Sequence, residues 1–291
     1  MWPIEAAGSA AWAALGGANP PVVCRATVIA AFERSCYVET PAGALVCLGS
    51  SAIGCGPLNA LTPTFFPPRK GESVWLSLAG AQLWQAERPG ADRTWVDWPW
   101  VDWTVDGPAR LRWVASPPIP AEGLGGLLHG VTSKLIRHAQ PGIQALQQWL
   151  QYTENPKKPE VSGYAEAALA PAFGLLGLGP GLTPSGDDYL CGTLIALQMF
   201  GSSLLAQRLW QALVPQLAGR TNRISAAHMA AAAVYGEGHA ALHQCLNALC
   251  DGNALAPALK ALDQVGHSSG WDALAGAVAA LQAVGQKQRL N

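Results

Sequence analysis

Three stretches in the second half of the chain carry almost no charge. Residues 189–200 and 273–284 hold no charged side chain, and 226–235 hold none apart from a protonatable histidine, His228. A helix that is apolar on every side belongs inside a domain. Three of them predict a helical core with little solvent contact, and helical signals run from about 123 to 286.

The first part of the chain reads as β-structure. Residues 22–32, 36–40, 44–49, 73–78, 82–87, 94–103 and 110–114 are short, rich in β-branched, aromatic and apolar residues, and separated by turn formers. Pro41, Ala42 and Gly43 suit a hairpin connection. Such a series predicts a barrel or sandwich. A duplicated W-V-D-W between Trp95 and Trp103 reads as rings packed on a sheet face, with Pro99 at an edge or bulge, in preference to a ligand surface. The proline-rich stretch 116–120 reads as a linker, and 155–159 as an exposed loop. The expected fold class is therefore α+β: an N-terminal β-barrel or sandwich domain over 1–116, then a mostly α-helical domain over 117–291.

Composition narrows the function classes. Half of the chain is apolar and only 13% is charged, which excludes a disordered chain. The 18 basic and 19 acidic residues leave a net charge of −1. No basic excess points to nucleic acid or an anionic membrane, and so little charge suggests buried subunit contacts. The apolar start lacks a basic stretch and does not read as a signal peptide. No run of about 18 apolar residues is present to span a membrane. The seven cysteines are odd in number and include no C-x-x-C pair, so neither a disulfide framework nor a zinc site is expected, and the cytoplasm is the expected compartment.

Each uncharged helix follows a short polar segment: G-L-G-P-G-L-T-P-S-G-D-D at 177–188, G-R-T-N-R-I-S at 219–225 and G-H-S-S-G-W-D at 266–272. Helix N-termini present unpaired N–H groups and the positive end of a dipole. A glycine-rich approach lets an anion reach that backbone. The candidate anion-binding residues are Gly179, Gly181, Thr183, Ser185, Gly186, Thr221, Asn222, Ser268, Ser269 and Gly270. The segment 177–181 lacks the lysine of a Walker-type loop. The first and third segments share the pattern S-G-x-D-x-L-x-G, at 185–192 and 269–276. That suggests a duplicated helical unit in which serine caps the helix and aspartate three residues later completes the cap.

Arg223, and less strongly Arg220, are candidates to bind a phosphate or carboxylate bidentately. Asp187 and Asp188 are candidates to orient Thr183 and Ser185 or to hold a magnesium ion, which takes one or two carboxylates plus waters and phosphate. His228 and His267 are candidates for proton transfer or carbonyl polarisation, against the plainer reading of satisfied histidines. His239 and His243 stand at i, i+4 near Glu237 and Cys245, without the H-E-x-x-H pattern of a zinc protease. Gly54–Asn59 reads as a turn-rich loop of the β-domain.

Taken in order, G-L-G-P-G-L-T-P-S-G-D-D, T-N-R-I-S-A-A-H at 221–228 and G-H-S-S-G-W-D resemble the small-subunit family of oxamate carbamoyltransferase, an enzyme of allantoin degradation. Gly56, Pro57, Leu58 and Asn59 resemble that family's G-P-x-N element, which adds Asn59 to the candidate site. The resemblance implies work alongside two larger companion subunits on a small anionic substrate. The assembly would split oxalurate with phosphate into oxamate and carbamoyl phosphate, from which carbamate kinase makes ATP. The chain departs from familiar carbamoyltransferases in having no S-T-R-T phosphate loop. Two other readings stay open on the residues alone: a non-catalytic module that binds a small carboxylate or phosphate, and a purely structural subunit.

Overall fold

The structure is a computed structural model that describes residues 1–17, 23–87, 118–153, 167–251 and 255–288. It is α+β: a curled eight-stranded sheet comes first and a helical region follows. The described residues fall into two compact units. One holds Met1–Glu87 with Glu237–Ala240, and the other holds Arg88–Gly236 with Ala241–Asn291. The expected strands at 94–103 and 110–114, the W-V-D-W duplication, the loop 155–159 and the expected break at 116/117 lie outside the described residues.

In the first unit the strands are β1 (Trp2–Pro3), β2 (Ala6–Gly8), β3 (Val23–Ala31), β4 (Ser35–Glu39), β5 (Leu45–Gly49), β6 (Asn59–Leu61), β7 (Ser73–Ser77) and β8 (Gln82–Trp84). They form one mixed sheet in the order β1-β7-β3-β4-β5-β6-β2-β8. Strands β7, β3, β4 and β5 pair antiparallel. The β4–β5 hairpin turns through Pro41–Gly43, as its sequence predicts: Thr40 N–H donates to Ala44 O at 2.9 Å, and Gly43 has φ +81°.

The sheet must curl. In a flat sheet β1 and β2 would lie six strand spacings apart, about 29 Å. The chain from Pro3 to Ala6 reaches at most about 10 Å. Hydrogen bonds on either side of that short link show both attachments: Ile4 N–H donates to Ser77 O at 2.9 Å and Glu5 N–H to Leu61 O at 2.8 Å. The enclosed core holds Ile4, Val28, Val38, Leu48, Leu76 and neighbours, with Ala11 from the short helix α1 (Ser9–Ala14) and Leu15 just after it. The segment Glu237–Ala240 joins this unit through Ser9 Oγ, which donates to Glu237 Oε1 at 2.9 Å, and Ala240 N–H, which donates to Cys55 O at 2.9 Å.

The second unit contains α2 (Lys134–Thr153), α3 (Ser185–Met199), α4 (Ser203–Leu217), α5 (Arg223–Tyr235), α6 (Ala240–Asp251), α7 (Leu255–Leu262) and α8 (Ser269–Gln288). The three uncharged stretches follow the first turns of α3, α5 and α8. Every residue of α3 except Gln198 is buried, and Gln198 Nε2 donates to Ala233 O of α5 at 2.6 Å. No helix among the described residues is long and apolar enough to cross a membrane.

Candidate functional site

The duplicated motif builds the centre of the helical unit. A Cβ on Gly192, the eighth position of the first copy, would fall inside the Ala273 carbonyl oxygen. A Cβ on Gly276, the eighth position of the second copy, would fall inside the Tyr189 carbonyl oxygen. Ala273 and Tyr189 are the fifth positions of their copies. Thr193 Oγ1 ties the same crossing, donating to Tyr189 O at 3.1 Å and Gly276 O at 3.2 Å. First turns meet first turns as well: Ser185 lies beside Asp272, and Ser269 beside Asp188. The helices α3 and α8 therefore form a pseudo-twofold pair that sets off in one direction from a shared start. Two positive helix ends so close repel one another. The carboxyls of Asp187, Asp188 and Asp272 are buried in those first turns, where the field favours negative charge.

The serines do not cap their own helices as the motif predicts. Pro184 occupies the N-cap of α3 and supplies no side-chain bond. Ser185 instead faces Asp272, and Ser269 Oγ meets Thr183 Oγ1 at 2.9 Å. The S-x-x-D pattern acts between the helices because the close glycine crossing brings each serine nearer to the other helix's aspartate.

Asp187, fully buried, joins the first two polar segments. Its Oδ1 accepts Gly177 N–H at 2.8 Å; its Oδ2 accepts the hydroxyls of Thr221 and of Ser225, the latter at 2.6 Å. Gly177 has φ +71°, and a Cβ there would collide with Arg220 O, so only glycine lets the two loops close. Asn222 caps α5, its Oδ1 accepting Ile224 and Ser225 N–H at 3.0 Å each, while Nδ2 donates to Leu182 O at 2.8 Å.

The three polar segments thus form one network. Residues 175–281 match the family model of oxamate carbamoyltransferase subunit AllH. The matched span contains all three segments. The comparisons with curated proteins and with solved structures gave no match.

Within the AllH-matching span the expected site residues fare differently. Thr183, Ser185, Asp187, Asp188, Thr221, Asn222, Ser268 and Ser269 are drawn together. Arg223 opens α5 and is exposed, as are Gly181 and Leu182. Gly179 and Gly181 hold φ +110° and +100° in the same loop. The N–H groups of Gly186, Asp187, Asp188 and Gly270, expected to meet an anion, bond to protein carbonyls instead: Leu178 O, Pro184 O twice, and Val265 O. His267 is turned outward, its Nε2 3.3 Å from Glu122 Oε2. His228 lies half-buried on α5. Asn59 is placed in the sheet unit, where its Nδ2 donates to Gly54 O at 2.9 Å.

Of the two carboxylates expected to orient hydroxyls or hold magnesium, Asp187 has both oxygens engaged by protein donors. Among the described residues no group of three His, Cys, Asp or Glu is arranged to hold a metal, the His239–His243 region included.

Two residues went unrecognised as central. Ser225 is 1% exposed and bonds to Asp187. Asp272, fully buried, accepts Leu124 N–H at 2.6 Å and Gly125 N–H at 2.9 Å on Oδ1, and Ser268 Oγ at 2.9 Å on Oδ2. The repeated motif already equated Asp272 with Asp188 and was the signal available for it.

Burial pushes Asp188 well above the usual carboxylate range; Asp272 and Asp187 push it further, while Ser269 and Thr183 pull it back. Burial also raises Asp272, against the donors it accepts. A native state with raised carboxyl pKa values holds protons that the unfolded chain has released. The stability these groups confer is full below about pH 4 and is lost as pH rises toward their folded values. Asp188→Asn cannot ionise, so its stability relative to wild type should improve as pH rises from 4 to 7. Paired denaturant titrations across that range test this; a gap that stays constant with pH rejects it.

Proposed function

We propose that the chain is a subunit of a carbamoyltransferase complex acting on oxalurate with phosphate, in allantoin nitrogen catabolism. A phosphate oxygen attacks the carbamoyl carbon, and the C–N bond to the oxamate nitrogen breaks. The proton carried by phosphate passes to that nitrogen, releasing oxamate and carbamoyl phosphate. One observation carries the reading: the span matching the oxamate carbamoyltransferase subunit family contains the three segments that hydrogen bonds and close packing join at the starts of α3, α5 and α8. Such a transfer needs preorganised donors for the phosphate and for the polarised carbonyl. Arg223, exposed at the start of α5, is suited to the anionic oxygens.

The test is reconstitution. The chain is combined with its companion subunits, and carbamoyl phosphate formed from oxalurate and phosphate is measured. Activity should require this chain. Arg223→Ala should lower kcat/KM by about 10- to 100-fold, the value of a charge-assisted hydrogen bond. Carbamoyl phosphate made equally well without the chain overturns the proposal, and full activity in the variant removes Arg223 from the site.

A further inference from the structure

The pseudo-twofold pair is satisfied on one side only. Asp272 takes two backbone amide N–H groups on one oxygen and a serine hydroxyl on the other. Asp188, at the same position of the repeated motif, has the hydroxyl-bearing Thr183 and Ser269 beside it. Yet its Oδ2 is buried with no hydrogen-bond partner. The residue is 8% exposed. Native proteins leave few buried polar atoms unpaired, because each one costs stability.

The surroundings select the missing donor's chemistry. An anion would meet three carboxyl groups within the first turns of α3 and α8. A metal ion would find Asp187 and Asp272 already engaged. A neutral N–H group suits the position, and the other half of the pair shows the interaction in place: amide N–H to aspartate oxygen.

We propose that Asp188 Oδ2 accepts an N–H of a terminal –CO–NH2 group on the bound ligand, as Asp272 accepts the amides of Leu124 and Gly125. Asp188 is then a specificity-determining residue that distinguishes a carboxamide or carbamoyl group from a carboxylate or a methyl ketone. Thr183 and Ser269, whose hydroxyls can donate as well as accept, stand beside the position of the amide carbonyl. The inference rests on the carbamoyl-transfer reading, in which substrate and product both end in such a group.

The experiment is titration calorimetry of the chain assembled with its companions, with oxamate and pyruvate as probes. Pyruvate keeps the keto-acid skeleton and replaces –NH2 by –CH3. A site built around a hydrogen bond rejects the analogue lacking it strongly, so oxamate should bind at least about 100-fold more tightly. Asp188→Ala, which only removes atoms, should reduce that ratio to about one in an assembled complex that circular dichroism shows to be folded. Equal binding of the two probes to wild type, as a resident water on Asp188 would give, overturns the inference and leaves the transferase reading standing. A ratio unchanged in Asp188→Ala also overturns it. If neither probe binds although the complex turns over oxalurate, the inference fails alone; if turnover is absent too, the transferase reading fails with it.

Discussion

Replacing Gly192 by alanine is expected to destabilise the protein by about 3 kcal/mol or more, although alanine is the better helix former by about 1 kcal/mol. The added methyl would occupy the space of the Ala273 carbonyl oxygen, a backbone atom of α8 that cannot rotate aside. The pair α3 and α8 would have to separate, loosening the contacts around Leu190, Leu194, Leu274 and Val278 and stretching the Thr193 bridge to Gly276. Pseudo-symmetry predicts the same penalty for Gly276→Ala, whose methyl would meet Tyr189 O. The double variant should cost less than the sum, since the second methyl meets helices already moved apart. Urea unfolding of the three variants measures this. A stabilising change in either single variant, the outcome for a merely helical glycine, would remove the close crossing from the account.

The coarse architecture was legible because it follows from solvent exclusion. The uncharged stretches 189–200, 226–235 and 273–284 had nowhere to go but the interior, and β3, β4, β5, β7 and β8 carried enough apolar and β-branched residues to be read as strands. Strands β1, β2 and β6 are two or three residues long, too short for an alternating pattern; the order of the curled sheet fixes them. The S-G-x-D-x-L-x-G repeat points to duplication, but read locally it predicts serines that cap their own helices. Only the glycine contact, a distance between elements 84 positions apart, redirects them. Likewise nothing local marks Leu124 and Gly125 as donors to Asp272: a backbone N–H is common to every residue but proline. The glycine-rich loop 177–188 was read as an anion cradle because its composition fits one. In the fold several of those amides are already bonded, and the glycines at 177 and 186 also serve close approaches, to Arg220 and Leu175.

Asp187→Ala should be the most damaging side-chain truncation in the helical unit, costing about 3 kcal/mol or more, since each buried donor left without its acceptor costs about 1–3 kcal/mol. Three donors lose their acceptor at once: Gly177 N–H and the hydroxyls of Thr221 and Ser225. Thr221→Val and Ser225→Ala each remove one such bond and should cost about 1–3 kcal/mol. Asp187→Asn separates charge from geometry. Its amide oxygen can still accept Gly177 N–H, and its –NH2 can donate to the two hydroxyls, which turn round to accept. It should therefore lose about half as much as alanine, chiefly the charge-assisted share of each bond. The consequence extends to Arg223, which begins the helix that Thr221, Asn222 and Ser225 anchor. Released from Asp187, that start loses its fixed position, so in the reconstituted complex Asp187→Ala should impair turnover even at temperatures where circular dichroism shows it folded. Unfolding curves and turnover measured together decide the matter. An alanine variant as stable as the asparagine variant would show that the carboxylate organises nothing, and full turnover in folded Asp187→Ala would detach the α5 start from the chemistry.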